Sequence, residues 1–434
     1  MADDNPIPPS GSLFPNEPRP TGRPVYESNL LPQRNRRRFS PWLIIPGLLA
    51  VLVGVYYVLV FGPKPRPNVV TAGTVVFASD QNSPGVPHIW TEKADGIGGA
   101  RQITTGPAAD TGPVFTADGK QIAFLSNRGG GPNQIWIADG DGKNVAQITR
   151  TAGAKSSPKF APGSNTLLAF LSGASLAVLN VGKSDASLLL PTPKSSTQTN
   201  STDPAQAQDA GTAAVSFAWK PAPGKDPDSA GIAAVLESAG VQTLAVLPTL
   251  ASAPRFTQND KPDGPPLAAA DRLSPAYAPD GTKLALGMLH VQGLPQGQKV
   301  SGLILFDGLG DVKKPIVPPQ KDTAIAPQEP VYSPDGTQIA FEVWRQTDLA
   351  GRTVFGLFIV DADGASAPHA LVRGDAEAAQ FSPDGKQVFF LARRADGGHD
   401  LYRINADGTS AVRLSDGHAD VTGYAVSPQS AGSP

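Results

Sequence analysis

The stretch Phe381-Ser382-Pro383-Asp384-Gly385-Lys386-Gln387-Val388-Phe389-Phe390 decides the fold, because it returns along the chain. A second copy is Tyr332-Ser333-Pro334-Asp335-Gly336-Thr337-Gln338-Ile339-Ala340-Phe341. Looser ones run Tyr277-Ala278-Pro279-Asp280-Gly281 and Phe115-Thr116-Ala117-Asp118-Gly119, each followed by its own apolar run. Proline presets φ for the second residue of a type I turn, aspartate bonds back to the backbone, and glycine closes the turn at positive φ. The run after the turn, such as Gln387 to Leu391, is continuously apolar, as suits a strand buried on both faces.

A second strand follows, for example Gln134-Ile135-Trp136-Ile137-Ala138 or Asp400-Leu401-Tyr402-Arg403-Ile404. A second Asp-Gly pair then turns the chain at Asp141-Gly142, Asp363-Gly364 and Asp407-Gly408, the chemistry hairpins prefer. The unit closes on a phrase such as Ala146-Gln147-Ile148-Thr149 or Val412-Arg413-Leu414-Ser415. A four-stranded unit repeating every ~40 to 60 residues is a propeller blade. First-turn equivalents fall at Asp118, Gly163, Gly224, Asp280, Asp335, Asp384 and, degenerately, Pro428, so seven blades are expected, with six as the fallback. The first blade opens at Val75-Val76-Phe77-Ala78-Ser79 without a first strand of its own. Val421-Thr422-Gly423-Tyr424-Ala425-Val426 is expected to supply it and close the ring.

These repeats resemble the TolB-type, WD-like propeller family over residues 74–428. The resemblance implies the fold and a general binding role. The chain departs from the family in showing no room for a separate N-terminal α/β domain, and in seven blades where six are usual.

Ahead of the repeats, residues 42–61 read WLIIPGLLAVLVGVYYVLVF, an uncharged span long enough to cross a bilayer as a helix. Arg34, Arg36, Arg37 and Arg38 precede it, against Lys64 and Arg66 after it. The positive-inside rule then expects an uncleaved signal anchor, with the N-terminus cytoplasmic and the propeller periplasmic or extracellular. Residues 1–40 are Pro-rich and aperiodic, as in a disordered cytoplasmic tail. The expected division is thus tail 1–40, anchor 42–61, linker 62–73, propeller 74–428 and a short tail 429–434. Within the propeller, the low-complexity stretch 192–212 is expected to be a surface loop.

Composition excludes some chemistry. The chain has no cysteine, which removes disulfides, thiolate metal sites and cysteine nucleophiles, and its net charge of −2 gives no electrostatic footprint for nucleic acid. There is no Gly-x-Ser-x-Gly elbow, no His-Glu-x-x-His and no phosphate-binding loop of the Gly-Lys-Ser/Thr type. His88, His290, His369, His399 and His418 are scattered and are expected at the surface. Asp139-Gly140-Asp141-Gly142 and Asp361-Ala362-Asp363-Gly364 fit hairpin turns, because a calcium loop needs a Glu near its twelfth position and these have Arg150 and Val372 there.

No catalytic, cofactor or metal residue is assigned. Asp80, Glu237, Asp271, Glu329, Glu342 and Glu377 are the acids a propeller glycosidase would draw on, but spacing selects no pair, and Glu342 is expected to reach solvent. Trp90, Trp136, Phe358 and Tyr402 occupy matching places and are expected in the core. The expected function is that of a non-enzymatic, membrane-anchored interaction or scaffold module in a bacterial envelope assembly, binding a protein or peptide on its propeller face. A carbohydrate-binding or hydrolysing propeller and a sensor ectodomain are the alternatives.

Overall fold

The computed structural model describes residues 73–428 except 184–185, 191–211, 223–228, 239–240, 253, 257–273, 289–299, 322–324 and 348–350. The expected anchor at 42–61, the tail before it, the turn at Gly224 and nearly all of the stretch 192–212 lie outside the described residues. Among the described residues no helix is long and apolar enough to cross a membrane.

The strands form seven four-stranded antiparallel sheets, so the fold is all-β and the blade count is seven. The first blade holds β1 (Thr74–Ser79), β2 (His88–Lys93) and β3 (Arg101–Gln102), and the second β4 (Asp110–Phe115), β5 (Gln121–Ser126), β6 (Gln134–Asp139) and β7 (Ala146–Gln147). In the third are β8 (Lys155–Phe160), β9 (Leu167–Ser172), β10 (Ser175–Asn180) and β11 (Ala186–Leu190). The fourth comprises β12 (Ala213–Lys220), β13 (Gly231–Ser238), β14 (Val241–Leu247) and β15 (Arg255–Phe256). Blade five is β16 (Pro275–Tyr277), β17 (Lys283–Met288), β18 (Val300–Asp307) and β19 (Val312–Lys321). Blade six is β20 (Ile325–Tyr332), β21 (Gln338–Thr347), β22 (Gly351–Asp361) and β23 (His369–Arg373). The seventh has β24 (Ala376–Phe381), β25 (Gln387–Arg393), β26 (His399–Asn405) and β27 (Val412–Arg413). The last strand, β28 (Val421–Val426), pairs with β1 from Val75↔Val426 to Ser79↔Val421 and completes the first blade, as expected.

The repeat residues do what their chemistry suggests. In each well-formed turn the hydroxyl of Thr116, Ser333 or Ser382 donates to the aspartate two residues on, at 2.6 to 2.8 Å. At the far end, the hydroxyl of Thr104, Thr149 or Ser415 accepts the N–H of Ile89, Ile135 or Leu401, tying the short outer strand to the third. The matching aromatics are cross-strand partners: Phe77 faces Trp90, Phe124 faces Trp136, Phe341 stacks on Phe358 and Phe390 on Tyr402. Seven apolar clusters fill the seams between blades.

The Asp-Gly hairpins also dock blade to blade. Gly142, at φ +86°, lies so close to Ile103 that a Cβ would stand 2.3 Å from its carbonyl oxygen. Gly142→Ala therefore combines an unfavourable left-handed residue with a backbone clash across the first seam, and is expected to cost about 2–4 kcal/mol. A urea titration checks this; a loss below 1 kcal/mol would show that the seam yields freely.

First strands line the centre. β28 adjoins β4 and β4 adjoins β8; β8 reaches β12 through the Lys159–Phe217 and Trp219–Lys159 bonds, and β16, β20, β24 and β28 follow in turn. Each is the edge of its sheet, and Pro113, Pro158, Pro275 and Pro330 stand on it two residues before the aromatic. Proline is tolerated there because an edge strand has a free side with no ladder bond to donate.

Candidate functional site in the central channel

Three of the first strands bear a non-glycine residue at positive φ, always three places before the aromatic: Ser157 (φ 50°), Glu329 (47°) and Ala378 (57°), with Gly112 (55°) at the same place in β4. Each marks a bulge where pairing with the second strand slips. Immediately before each bulge, the first strand faces a fixed position of the second. The pairs are Thr111↔Leu125, Ser156↔Leu171, Gln328↔Glu342 and Glu377↔Leu391. Glu342 thus occupies a place that three other blades give to a buried leucine.

Glu342 is only 2 % exposed, so the expectation that it reaches solvent is corrected. The bulge explains it: the Ala378 N–H of the next blade points out of its own ladder and donates to Glu342 Oε1 at 2.6 Å, and the Trp344 indole donates to Oε2 at 2.7 Å. Burial nevertheless dominates and lifts its carboxyl to about 8, with the charges of Glu329 and Glu377 adding to the rise and the two hydrogen bonds opposing it. The Tyr424 hydroxyl, donating to Ala378 O, is pushed well above its ordinary value by burial and then by Glu342.

Other polar side chains on the channel wall link neighbouring first strands. Lys159 donates to Phe217 O at 3.0 Å and stands 5.2 Å above the Phe217 ring, while Trp219 Nε1 donates back to Lys159 O at 2.8 Å. The Lys159 side chain is exposed, but on the channel side, where the enclosing wall desolvates its amine and lowers its pKa; Glu329 partly offsets this. At the equivalent place in the seventh blade, Gln380 donates to Tyr424 O at 3.1 Å and accepts from Val426 N at 3.2 Å.

At the end of the disc where first strands begin, His399 is held between Glu377 (Nε2–Oε1 3.4 Å) and Asp420 (Nδ1–Oδ1 3.3 Å). His88 is 2 % exposed rather than at the surface, with Nδ1 3.7 Å from fully buried Asp110. Arg128 reaches the same Asp110 Oδ2 at 2.6 Å while stacking on Phe124 and Trp136. Arg128→Ala is expected to destabilise by about 3–4 kcal/mol, because it leaves a buried carboxylate without its cation. Thermal unfolding at low and high salt checks this, since a surface pair would be screened and cost far less.

Of the six acids considered from sequence, Glu329 and Glu377 lie near enough for their charges to act on Glu342, but Glu377, opposite Leu391 in the cluster that joins blades one and seven, turns to that seam and pairs with His399. Asp80 instead accepts the N–H groups of Gly85 and Asp420, Glu237 accepts from Gln242, and Asp271 lies outside the described residues. His369 and His418 are exposed as expected, and His290 is outside the described residues. The acidic turns are hairpins: Gly142 N bonds Asp139 O, Gly364 N bonds Asp361 O, and the Asp141 carboxylate takes Lys143. Among the described residues no group of three or more His, Asp or Glu is placed to hold a metal ion. The buried Glu342 had one readable signal, a Glu where aligned repeats have Leu125, Leu171 and Leu391.

No protein-family model matches the chain. Among solved structures it is similar to TolB from Acinetobacter baumannii, 16 % identical over 88 % of this chain and 71 % of that one, with a TM-score of 0.47. It is also similar to an oligogalacturonate lyase in complex with manganese, at 12 % identity, 80 % and 86 % coverage and a TM-score of 0.50. A prolyl endopeptidase matches at 11 % identity and a TM-score of 0.51 over 83 % of this chain, which spans about half (49 %) of that protein. TolB-like structures thus stand among the chain's neighbours at low identity, and at these identities the likeness is one of fold, here a propeller of seven blades.

Proposed function

We propose that this protein is a propeller-based protein-interaction module, held at a bacterial membrane by residues 42–61, with its disc outside the cytoplasm and its loops engaged in an envelope assembly. The observation that carries the interaction role is the use made of polar groups in the channel wall. Lys159, Gln380 and Glu342 each bond the backbone of the neighbouring blade, so they brace the disc rather than converge on a substrate. A braced disc presents loops with little conformational entropy to lose on binding. The anchor is supported by the uncharged span and the arginines before it.

Crosslinking in native membranes with full-length bait, followed by mass spectrometry, tests this. A stoichiometric envelope protein, lost when residues 74–428 are deleted, is the expected result. Recovery of bait alone would count against it.

The raised carboxyl of Glu342, with Glu329 and Glu377 near enough for their charges to act on it, favours a second reading, a propeller that binds or hydrolyses carbohydrate. A general acid must lie within hydrogen-bond reach of its substrate, however, and Glu342 is buried with both oxygens already accepting. Shortened products after incubation with envelope polysaccharide, abolished in Glu377→Gln, would establish the hydrolytic role.

A further inference from the structure

The chain enters and leaves the ring of blades on one face. Ser427 N donates to Thr74 O at 2.8 Å, the bond that Ser382 N gives Gln387 O, and Ser333 N gives Gln338 O, across a first-to-second-strand turn. β1 therefore starts where those Asp-Gly turns lie. The third-to-fourth-strand hairpins share that face, because Gly140 N bonds Lys120 O, Ala362 N bonds Thr337 O and Ala406 N bonds Lys386 O. In the fifth blade the two turns are closer still: a Cβ on Gly308 would stand 2.3 Å from Gly281 O.

The same face carries the exposed apolar side chains. Among the described residues the large ones are Ile97 (54 % exposed), Val145 (37 %) and Leu309 (40 %). Each sits on a third-to-fourth-strand hairpin, between β2 and β3, β6 and β7, and β18 and β19. The Ile97 N–H donates to Asp95 and that of Leu309 to Asp307, as Ala365 does to Asp363 and Thr409 to Asp407 in other blades. One turn thus fixes the tip in every case, and the residue on it varies. Asp118 and Asp141 accept N–H groups of their own turns and meet Lys120 and Lys143, the more exposed partners, so these carboxylates are not bare. Turns on the other face, such as 127–133 and 394–398, are glycine-rich and polar.

The connection from β1 back to the uncharged span 42–61 is residues 62–73, at most about 40 Å when fully extended. Turning the opposite face to a bilayer would take it about 10 Å outward past β2 and β3 and roughly 20 Å down the six-residue strands, most of that reach. We propose that the Asp-Gly face lies against the lipid surface, with Ile97, Val145 and Leu309 set into the interface, so that a partner meets the opposite face. This rests on the membrane-anchored reading and gives the disc its orientation. A tether this short holds the disc at a roughly millimolar effective concentration, so three partly exposed side chains suffice where they would not hold a free protein.

The chain has no cysteine, so one substitution carries one label. Full-length protein with Ile97→Cys, Val145→Cys or Leu309→Cys is labelled with a nitrobenzoxadiazole fluorophore and reconstituted in phosphatidylcholine vesicles. Ala152→Cys and Ala395→Cys, at exposed positions of the opposite face, are the comparison. An interfacial side chain lies about 5–10 Å into the headgroup boundary, so doxyl-labelled lipid is expected to quench the first three by roughly half or more and the last two hardly at all. Soluble iodide should give the reverse order. Circular dichroism confirms that each labelled chain is folded, and a site that fails leaves two others to decide. Equal lipid quenching on both faces, quenching only at positions 152 and 395, or none anywhere overturns the proposal. So does a benzophenone label at position 97 that joins a protein and no lipid in native membranes. An alkaline carbonate wash separates the two levels. A chain that stays in the vesicles with unquenched labels overturns the orientation and leaves the anchor standing. Release of the chain overturns the anchor, and the orientation with it.

Discussion

A chain ending at Asp420 is expected not to fold into a stable propeller. Without β28 the first blade keeps three strands, and Val75 and Phe77 lose cover from Val421 and Tyr424 in the cluster that joins blades one and seven. The same cut removes the Tyr424 hydroxyl from Ala378 O and strands both amide atoms of Gln380, which bond Tyr424 O and Val426 N. Each buried large side chain contributes about 1.5–3 kcal/mol, and unmet buried hydrogen-bonding groups cost about 1–3 kcal/mol each. Together these losses rival the whole net stability of a typical domain, about 5–15 kcal/mol. They also open an apolar edge along β1, a template for aggregation. Tyr424→Ala is the milder form and is expected to cost about 3–5 kcal/mol. Soluble yield and melting temperature of the truncated chain decide the matter. If it melts within a few degrees of the full chain, ring closure by β28 contributes little.

The second large effect is on the pH dependence of stability, and Glu342→Gln exposes it. Glu342 titrates at about 8 in the folded chain, against an ordinary value of 4.5. Folding therefore favours its neutral form. Its contribution is complete below pH 4.5, declines above that, and is lost as pH rises through about 8. A shift of this size corresponds to roughly 3–5 kcal/mol of stability removed across the interval. Glutamine cannot ionise, so the variant lacks this slope. Its NH₂ faces a donor, either the Ala378 N–H or the Trp344 indole, at a cost of about 1–2 kcal/mol. Wild type should accordingly be the more stable at pH 5 and the variant at pH 9, with the curves crossing between. Urea titrations at pH 5, 7 and 9 measure this. Parallel curves would mean that Glu342 is solvated in solution and the seam is open.

Local features of the fold were legible because local chemistry produces them. The hydroxyl-to-aspartate bonds at Ser333 and Ser382 link residues two apart, and the aromatic pairs follow from the alternation of strands around a hairpin. The missing first strand of blade one was also readable, since a ring with an open edge demands a strand and the chain's last repeat has one to spare. His88 was misjudged for a physical reason. An isolated histidine in sequence carries no sign of its partners, and this one lies against Asp110, 22 residues on and in the next blade.

Glu342 shows where reading the chain by itself stops. Aligned with Leu125, Leu171 and Leu391, it is visibly an exception, but nothing in the linear order says that a bulged N–H 36 residues away will turn to meet it. The sequence by itself determined the blade, its turns, their number and the closing strand, all of which depend on residues a few places apart or on simple periodicity. Only the tertiary structure decided which acid is buried in a seam, which lysine and glutamine brace the channel, and which amide is left without a partner. Those depend on how one blade's bulge packs on the next blade's second strand, where a single residue of register separates a buried contact from an exposed one.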